Sequence, residues 1–328
     1  MLQIKHFLPV LIGIAALGCA SMSHAQSDPQ INFFMFNKTQ FNPAFAGNEN
    51  TIDAGAVYRQ QWVGLKGAPS TQMLNVDMPT YFFKGGAGLT VINSMTGAKR
   101  TTRLNFHYAY HHSFSFGQVG GGISAGAVQR SFEGSELTAP EGSYEGGIDH
   151  NDQFIPSTDQ SGVSPGFNLG GYFSRDDFFA GISVTNLLES KTTIDTKNGS
   201  ANIRSGRNYY FTSGIEIDIF KKVTWKPSVL VKSDFTATQI DFNSFFVFNN
   251  NIYGGVAFRG YSKSSKDALS GIFGFKIGSN FLVGYSYDFS LSQLNRVNSG
   301  SHEVMLNYTI PIQDPSEKGK IIYNPRFL

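Results

Sequence analysis

Cysteine is nearly absent from this chain of 328 residues; Cys19 is the only one. It lies in a removable leader, so neither a disulfide framework nor a cysteine metal site is open to the mature protein. Long hydrophobic runs are missing as well, and no stretch supplies the roughly 20 consecutive apolar residues that a membrane-spanning helix needs. Charge of one sign is lacking too. A formal net charge of +2, with no basic cluster, argues against nucleic-acid binding, which leaves an electropositive face as its footprint.

Glycine and aromatics are plentiful: 36 glycines, and 14% of residues are Phe, Trp or Tyr. Along the chain, short segments alternate apolar and polar residues. In the last of them, Ser301-His302-Glu303-Val304-Met305-Leu306-Asn307-Tyr308-Thr309-Ile310, a strand sends Val304, Leu306, Tyr308 and Ile310 to one face and Glu303, Met305, Asn307 and Thr309 to the other. One face suits lipid, the other water. A sheet in hydrocarbon must close on itself to pair its backbone, so this repeated dyad predicts an all-β protein, a transmembrane antiparallel β-barrel of about 14 strands with a short N-terminal periplasmic segment.

Turn residues place the strands at about 51–64, 69–78, 85–95, 100–114, 117–131, 162–174, 176–186, 207–220, 223–233, 237–248, 250–260, 266–278, 280–290 and 301–310. The connections sort by parity. Tight turns at Ser115-Phe116, Ser174-Arg175, Lys221-Lys222, Asn249-Asn250 and Gly278-Ser279 share one end, and long connections at 132–161, 187–206 and 291–300 share the other. Outer-membrane barrels keep short turns in the periplasm and long loops outside. The strand near 237–248 is expected to face lipid through Ile240, Phe242, Phe246 and Phe248, with Gln239, Asp241 and Asn243 in a wet interior, which makes Asp241→Asn a mild change.

Four parts follow: 1–25 a signal peptide, 26–50 an N-terminal periplasmic or plug segment, 51–310 the outer-membrane barrel, and 311–328 a periplasmic tail. Lys5, the apolar run Phe7 to Leu17 and Ser23-His24-Ala25 predict export and cleavage before Gln26. Ala16-Leu17-Gly18-Cys19 is a weak lipoprotein box, and a lipid-free product is expected. Ile31 to Asn48, with its Phe33-Phe34-Met35-Phe36 run, reads as a plug or brace at the periplasmic mouth.

Several residue groups carry a chemical and a bland reading. His107 and His111 face one way and His112 the other, which fits polar filling of the lumen better than a metal site. Asp288, His302 and Glu303 beside Ser286 and Ser301 lack the base and orienter geometry of a catalytic set. Trp62 fits an interfacial belt residue, and Asn42-Pro43 is either a partner-docking turn or a helix stop. The acidic loop 132–161 lacks calcium-loop spacing and reads as mobile and solvated. No catalytic, cofactor or metal residue is expected, and the chain reads as a non-enzyme.

Three motifs in order resemble the PorP/SprF family of type IX secretion outer-membrane proteins. They are Met35-Phe36-Asn37 with Phe41-Asn42-Pro43-Ala44-Phe45-Ala46-Gly47; Arg59-Gln60-Gln61-Trp62-Val63-Gly64 with Gly67-Ala68-Pro69-Ser70-Thr71 and Asp77-Met78-Pro79; and Gly284-Tyr285-Ser286-Tyr287-Asp288-Phe289-Ser290 with Gly300-Ser301-His302-Glu303. The motif residues are thus Asn42, Pro43, Ala44, Gly47, Gln61, Trp62, Asp77, Pro79, Tyr287, Asp288, Ser301, His302 and Glu303. The resemblance implies a Gram-negative outer-membrane protein that supports export and surface retention of large adhesins in gliding or adhesion. Its partners would be the adhesin's C-terminal signal domain, periplasmic and outer-membrane secretion components, and outer-membrane lipid. Arg204, Leu294 and Arg296, among the apolar residues of the outer loops, are the candidate partner contacts. A diffusion channel or small-solute transporter is the alternative.

Overall fold

The computed structural model describes residues 28–312 apart from 82–83, 153–154, 197–198 and 263–264. The signal-peptide and C-terminal-tail readings lie outside these residues. In chain order the strands are β1 (Thr51–Gln60), β2 (Ser70–Thr80), β3 (Gly85–Thr96), β4 (Lys99–Phe114), β5 (Gly117–Phe132), β6 (Gln160–Arg175), β7 (Phe178–Thr185), β8 (Lys191–Thr196), β9 (Gly199–Arg204), β10 (Asn208–Ile215), β11 (Ile217–Phe220), β12 (Val223–Ser233), β13 (Thr238–Phe248), β14 (Ile252–Ser262), β15 (Ser265–Ile277), β16 (Phe281–Ser290) and β17 (Ser301–Pro311). β10 and β11 are two parts of one strand interrupted at Glu216, and both pair with β12.

Every barrel strand pairs antiparallel with its sequence neighbours, and the seam closes where the first strand meets the last. There β1 runs beside β17 from Thr51 opposite Pro311 to Gln60 opposite His302. β10 completes the ring between β7 and β12, giving a closed barrel of 14 strands. No sheet edge is left in the barrel to face hydrocarbon.

Side-chain alternation sets which face meets lipid. Ile240, Phe242, Phe246 and Phe248 of β13 are exposed, while Gln239, Asp241 and Asn243 are buried. Val304, Leu306, Tyr308 and Ile310 of β17 are likewise exposed, and Ser301, Glu303 and Met305 face inward. The end with the turns at 115–116, 176–177, 221–222, 249–251 and 278–280 is the periplasmic one by the short-turn rule. All three long connections leave from the opposite end, although the 97–98 turn there is tight as well.

Two expectations need correction. The interior is not simply wet: Val57, Met73, Ile92, Phe245, Ala257, Ile272, Leu282 and Met305 point inward and bury Ile31 and Phe33 of the N-terminal segment in an apolar cluster. Nor is 132–161 a structureless loop. His150 is 1% exposed and bridges Tyr144 Oη and the Gly134 carbonyl at 3.1 Å each, so the loop has a small packed centre of its own.

Phe242 sits near the middle of a lipid-facing strand, where an Arg costs about 2–4 kcal/mol. Phe242→Arg should therefore lower the heat-resistant, fast-migrating barrel band on gels, and Phe242→Leu should leave it unchanged.

Candidate functional site

The segment before β1 runs through the lumen from the outer half to the periplasmic end. Its elements are short: a 3₁₀ turn at Phe34–Phe36, one helical turn at Lys38–Phe41 and a second 3₁₀ turn at Pro43–Phe45. Such turns cannot stand alone. The barrel wall holds them at two levels.

Near the outer end, Glu303 of β17 faces Arg59 of β1 directly across the seam, and Arg59 Nη1 donates to Glu303 Oε2 at 2.9 Å. The other guanidinium nitrogen pairs with Asp288 of β16. Glu303 also accepts the backbone N–H groups of Asn32, at 2.9 and 3.0 Å, and of Phe33, at 3.0 Å. Arg259 of β14 completes the group, giving Nε to Asp241 at 2.7 Å and Nη2 to Asn32 Oδ1 at 2.8 Å. Asn32 Nδ2 reaches Ser286 Oγ at 2.8 Å and also Asp288, and Asn243 Nδ2 donates to the Asn32 carbonyl at 2.7 Å. Two guanidiniums thus face three carboxylates, and amide donors of the captured segment supply the remaining hydrogen bonds. Buried charge is tolerated only when paired and hydrogen-bonded in this way.

Asp241→Asn is therefore no mild change, contrary to the expectation of an interior open to water. Asp241 is buried and is the carboxylate partner of Arg259 Nε.

Lower in the barrel, Asn42 caps the second 3₁₀ turn by accepting from Ala44 N at 3.0 Å, with Pro43 in the first position, where its missing N–H is no loss. Asn42 Nδ2 donates to the carbonyls of Gly171 and Ile182 at 3.0 and 3.2 Å, and His111 Nε2 meets the Ala44 carbonyl at 3.2 Å. Phe45 stacks on Tyr172 with ring centres 4.9 Å apart. The wall is shaved to admit this turn: a Cβ on Gly122 would come within 2.4 Å of Ala44 N. Gly47, at φ +60°, passes so close to Met78 and Gly86 that only glycine fits, and Asp77 takes its N–H at 2.9 Å. Of the two readings of Asn42-Pro43, the helix stop holds, since the helical turn Lys38–Phe41 ends at Asn42, whose side chain binds the chain's own wall.

The motif residues divide by face. Asn42, Pro43, Ala44, Gly47 and Asp77 join at the lower level, and Asp288 and Glu303 at the upper one. Gln61 Nε2 reaches Gln30 of the segment at 3.1 Å. Ser301 accepts Trp62 N at 3.1 Å just beyond the end of β1. Tyr287 and His302 lie on the outer surface instead, with ring centres 5.1 Å apart, in the manner of an interfacial belt. Pro79 stands opposite Gly86 near the lower strand ends. His107 faces the lumen and bonds Thr90 Oγ1 at 2.9 Å.

The sequence reading missed the segment's own anchors and the arginine partners. Asn32 and Asp28 carried no local signal, since Asn32 meets Glu303 271 residues on and Asp28 meets Asn208 180 residues on, and Arg259, whose partner Asp241 is 18 residues away in the neighbouring strand, had only its inward register. The hairpin of β8 and β9 was also missed. Within the expected open loop, it packs inside the upper wall, where Arg130 Nη2 donates to Ser205 Oγ at 2.8 Å and its other nitrogen to Thr192. Thr192 is fully buried. The hairpin covers part of the outer mouth and carries Arg204, which pairs with Glu189. That hydrogen bond holds the exposed Glu189 carboxyl below the usual range. Leu294 and Arg296 belong to a separate 3₁₀ turn, Gln293–Arg296, with Arg296 exposed.

A family model described as "Type IX secretion system membrane protein PorP/SprF" matches residues 23–308. The chain belongs to this family. It is a type IX secretion component, and the closed lipid-facing barrel places it in the outer membrane. No curated protein matches the sequence. Among solved structures, the CymD monoaromatic hydrocarbon channel is similar in fold, with a TM-score of 0.51 at 13% identity over 85% of this chain and 93% of that one. The toluene transporter TbuX of Ralstonia pickettii follows at 0.48 and 11%, over 84% and 93%. Omp33 of Acinetobacter baumannii gives 0.42 and 7%, over 80% and 97%.

Two measurements test the docked segment. Glu303→Ala strips Arg59 of one partner and leaves the Asn32 and Phe33 amides unpaired, a loss of about 3–5 kcal/mol for a broken buried pair. The variant should expose the Phe33–Phe36 run to chymotrypsin, whereas Glu303→Gln, which keeps an acceptor, should be cut more slowly. Gly122→Ala should unseat the Pro43 turn and reduce the folded band, while Gly121→Ala, with nothing within 4 Å of the added methyl, should not.

Proposed function

We propose that the protein holds an exported partner at the cell surface for the type IX system and touches the periplasmic machinery from below, without enzymatic activity of its own. The observation that carries this reading is the filled lumen. A barrel whose interior is occupied by its own clamped segment and partly roofed by a hairpin offers a closed, shaped outer face rather than a path for solutes. The family assignment supplies the secretion context.

The outer face has the chemistry of a protein contact. Leu188, Leu291 and Val297 are exposed there beside Arg204 and Arg296, a mix of apolar and arginine side chains that interfaces favour. Arg204 is tied to Glu189 by its charge, so Arg296 is the freer of the two. A large adhesin held through its C-terminal signal domain is the partner this surface would take. At the other end, a cavity of about 370 Å³ is lined by Lys38, Glu49, Asp53, Lys226 and Lys276 among others, a charged recess suited to periplasmic components.

Replacing Leu294 and Arg296 together by Ala should leave barrel abundance unchanged and reduce the adhesin retained on cells, scored by surface immunoblot. Parental retention in that variant, and again when 187–206 is shortened, would move the contact to another surface. The channel reading is tested separately. Liposomes carrying the purified protein should not swell in isotonic sugar, and rapid swelling would favour a diffusion channel.

A further inference from the structure

The ladder that joins β12 to its preceding neighbour is interrupted near the periplasmic end. Between β10 and β12 the last pair is Gly214 with Ser228, and between β11 and β12 the first is Ile217 with Trp225. The register is the same on both sides of the break, so Ile215 stands opposite Pro227 and Glu216 opposite Lys226, without pairing. Pro227 accounts for the loss. Successive residues of a strand turn their backbone groups to alternate sides, and Glu216 gives its N–H to the Asp177 carbonyl, so Ile215 presents its own carbonyl to Pro227, which has no N–H to return. A proline in a strand flanked on both sides is uncommon for this reason.

The break lies against the recess at the periplasmic end. That cavity of about 370 Å³ is lined by Gly214, Glu216, Lys226 and Ser228, which alternation turns inward, and also by Ile215 and Pro227, which it turns toward lipid. A space that reaches both faces of the same two strands passes through the wall. On the outside it meets an apolar surface, with Phe178, Ile215 and Phe246 exposed, so the opening faces the hydrocarbon of the periplasmic leaflet. On the inside, Met35, Phe36, Phe179 and Tyr253 are only half-buried around the cavity. Lys226 is paired with Glu216 at 2.7 Å and Lys38 with Glu49 at 3.7 Å, but Lys276 has no ion pair among the described residues. Apolar walls with a few placed polar groups are the make-up of a ligand pocket, and the volume falls in the usual range.

We propose that this recess binds a phospholipid of the periplasmic leaflet, its phosphate at Lys276, one acyl chain against Phe36, Phe179 and Tyr253, and the other passing out between Ile215 and Pro227 into the leaflet. The lipid lies below the clamped segment, so it occupies the vestibule without opening a path across the lumen. This site is independent of the surface-holding role.

The test uses the full-length protein reconstituted in vesicles of phosphatidylethanolamine and phosphatidylglycerol, with a phosphatidylglycerol bearing a diazirine on one acyl chain as the probe. After irradiation, labelled peptides are mapped by mass spectrometry. Expected is labelling at lumenal Phe36, Phe179 or Tyr253 in addition to lipid-facing Phe242 and Phe246. Pro227→Val supplies the missing N–H on a residue that strands favour; it should cut the lumenal labelling several-fold and leave Phe242 and Phe246 labelled as before, which also shows that the barrel has assembled. Lys276→Ala should lower the lumenal labelling as well. Labelling confined to the lipid face of the parental protein overturns the proposal, and so does lumenal labelling undiminished by Pro227→Val. A fatty acid carrying the same diazirine tests the source: lumenal labelling by the fatty acid with none by the phospholipid overturns the assignment to a phospholipid.

Discussion

The carboxylate of Glu303 is the group on which the rest of the arrangement depends. It sits in the last strand, faces Arg59 of the first strand across the closing seam, and accepts two backbone amides from a segment that precedes them both. Closing the barrel and capturing the segment are therefore parts of one event. Without the segment, Glu303 would lose the Asn32 and Phe33 amides that share its charge with Arg59; without closure, Arg59 and Glu303 would not meet. A buried ion pair is weak evidence of stability by itself. Here its value is specificity, because the pair forms in one register only.

Much of the fold was legible because lipid imposes a strict rule. Each spanning strand must alternate and must pair on both sides, so Phe242 beside Asp241 and Val304 beside Glu303 announce their faces without help from tertiary structure. The strands run within a few residues of where the alternation put them, and the interruption at Glu216 lies within a strand read as continuous. The hairpin of β8 and β9 also had a local signal. Thr192 and Ile194 alternate with Thr193 and Asp195 ahead of Asn198-Gly199, a pair favoured in hairpin turns, but the length of the connection drew the reading toward an open loop.

The site was less legible, and for a physical reason. Asn32 and Glu303 are 271 residues apart, and nothing local says that an asparagine will spend its side chain on Ser286, Asp288 and Arg259. Aromatic density before β1 has no period of two, so it marks a packed segment without saying how deep it goes. Reading Ile31 to Asn48 as a plug or brace at the periplasmic mouth stopped short of how far up the lumen the segment reaches. Asn42-Pro43-Ala44 was singled out for its pattern, yet its meaning lay in the wall: in Gly122 and Gly170, where a side chain would collide with the turn.

That division of labour between wall and segment also explains the glycine content. On the lipid face Gly121 meets nothing within 4 Å of an added methyl, whereas Gly122, one residue on, is filled by Ala44. The inward glycines act as a mould for the Pro43 turn. The Gly171 and Ile182 carbonyls take the Asn42 side-chain amide as their donor, and Glu303 takes the Asn32 and Phe33 amides, so wall and segment are matched in shape and in hydrogen bonding at both levels.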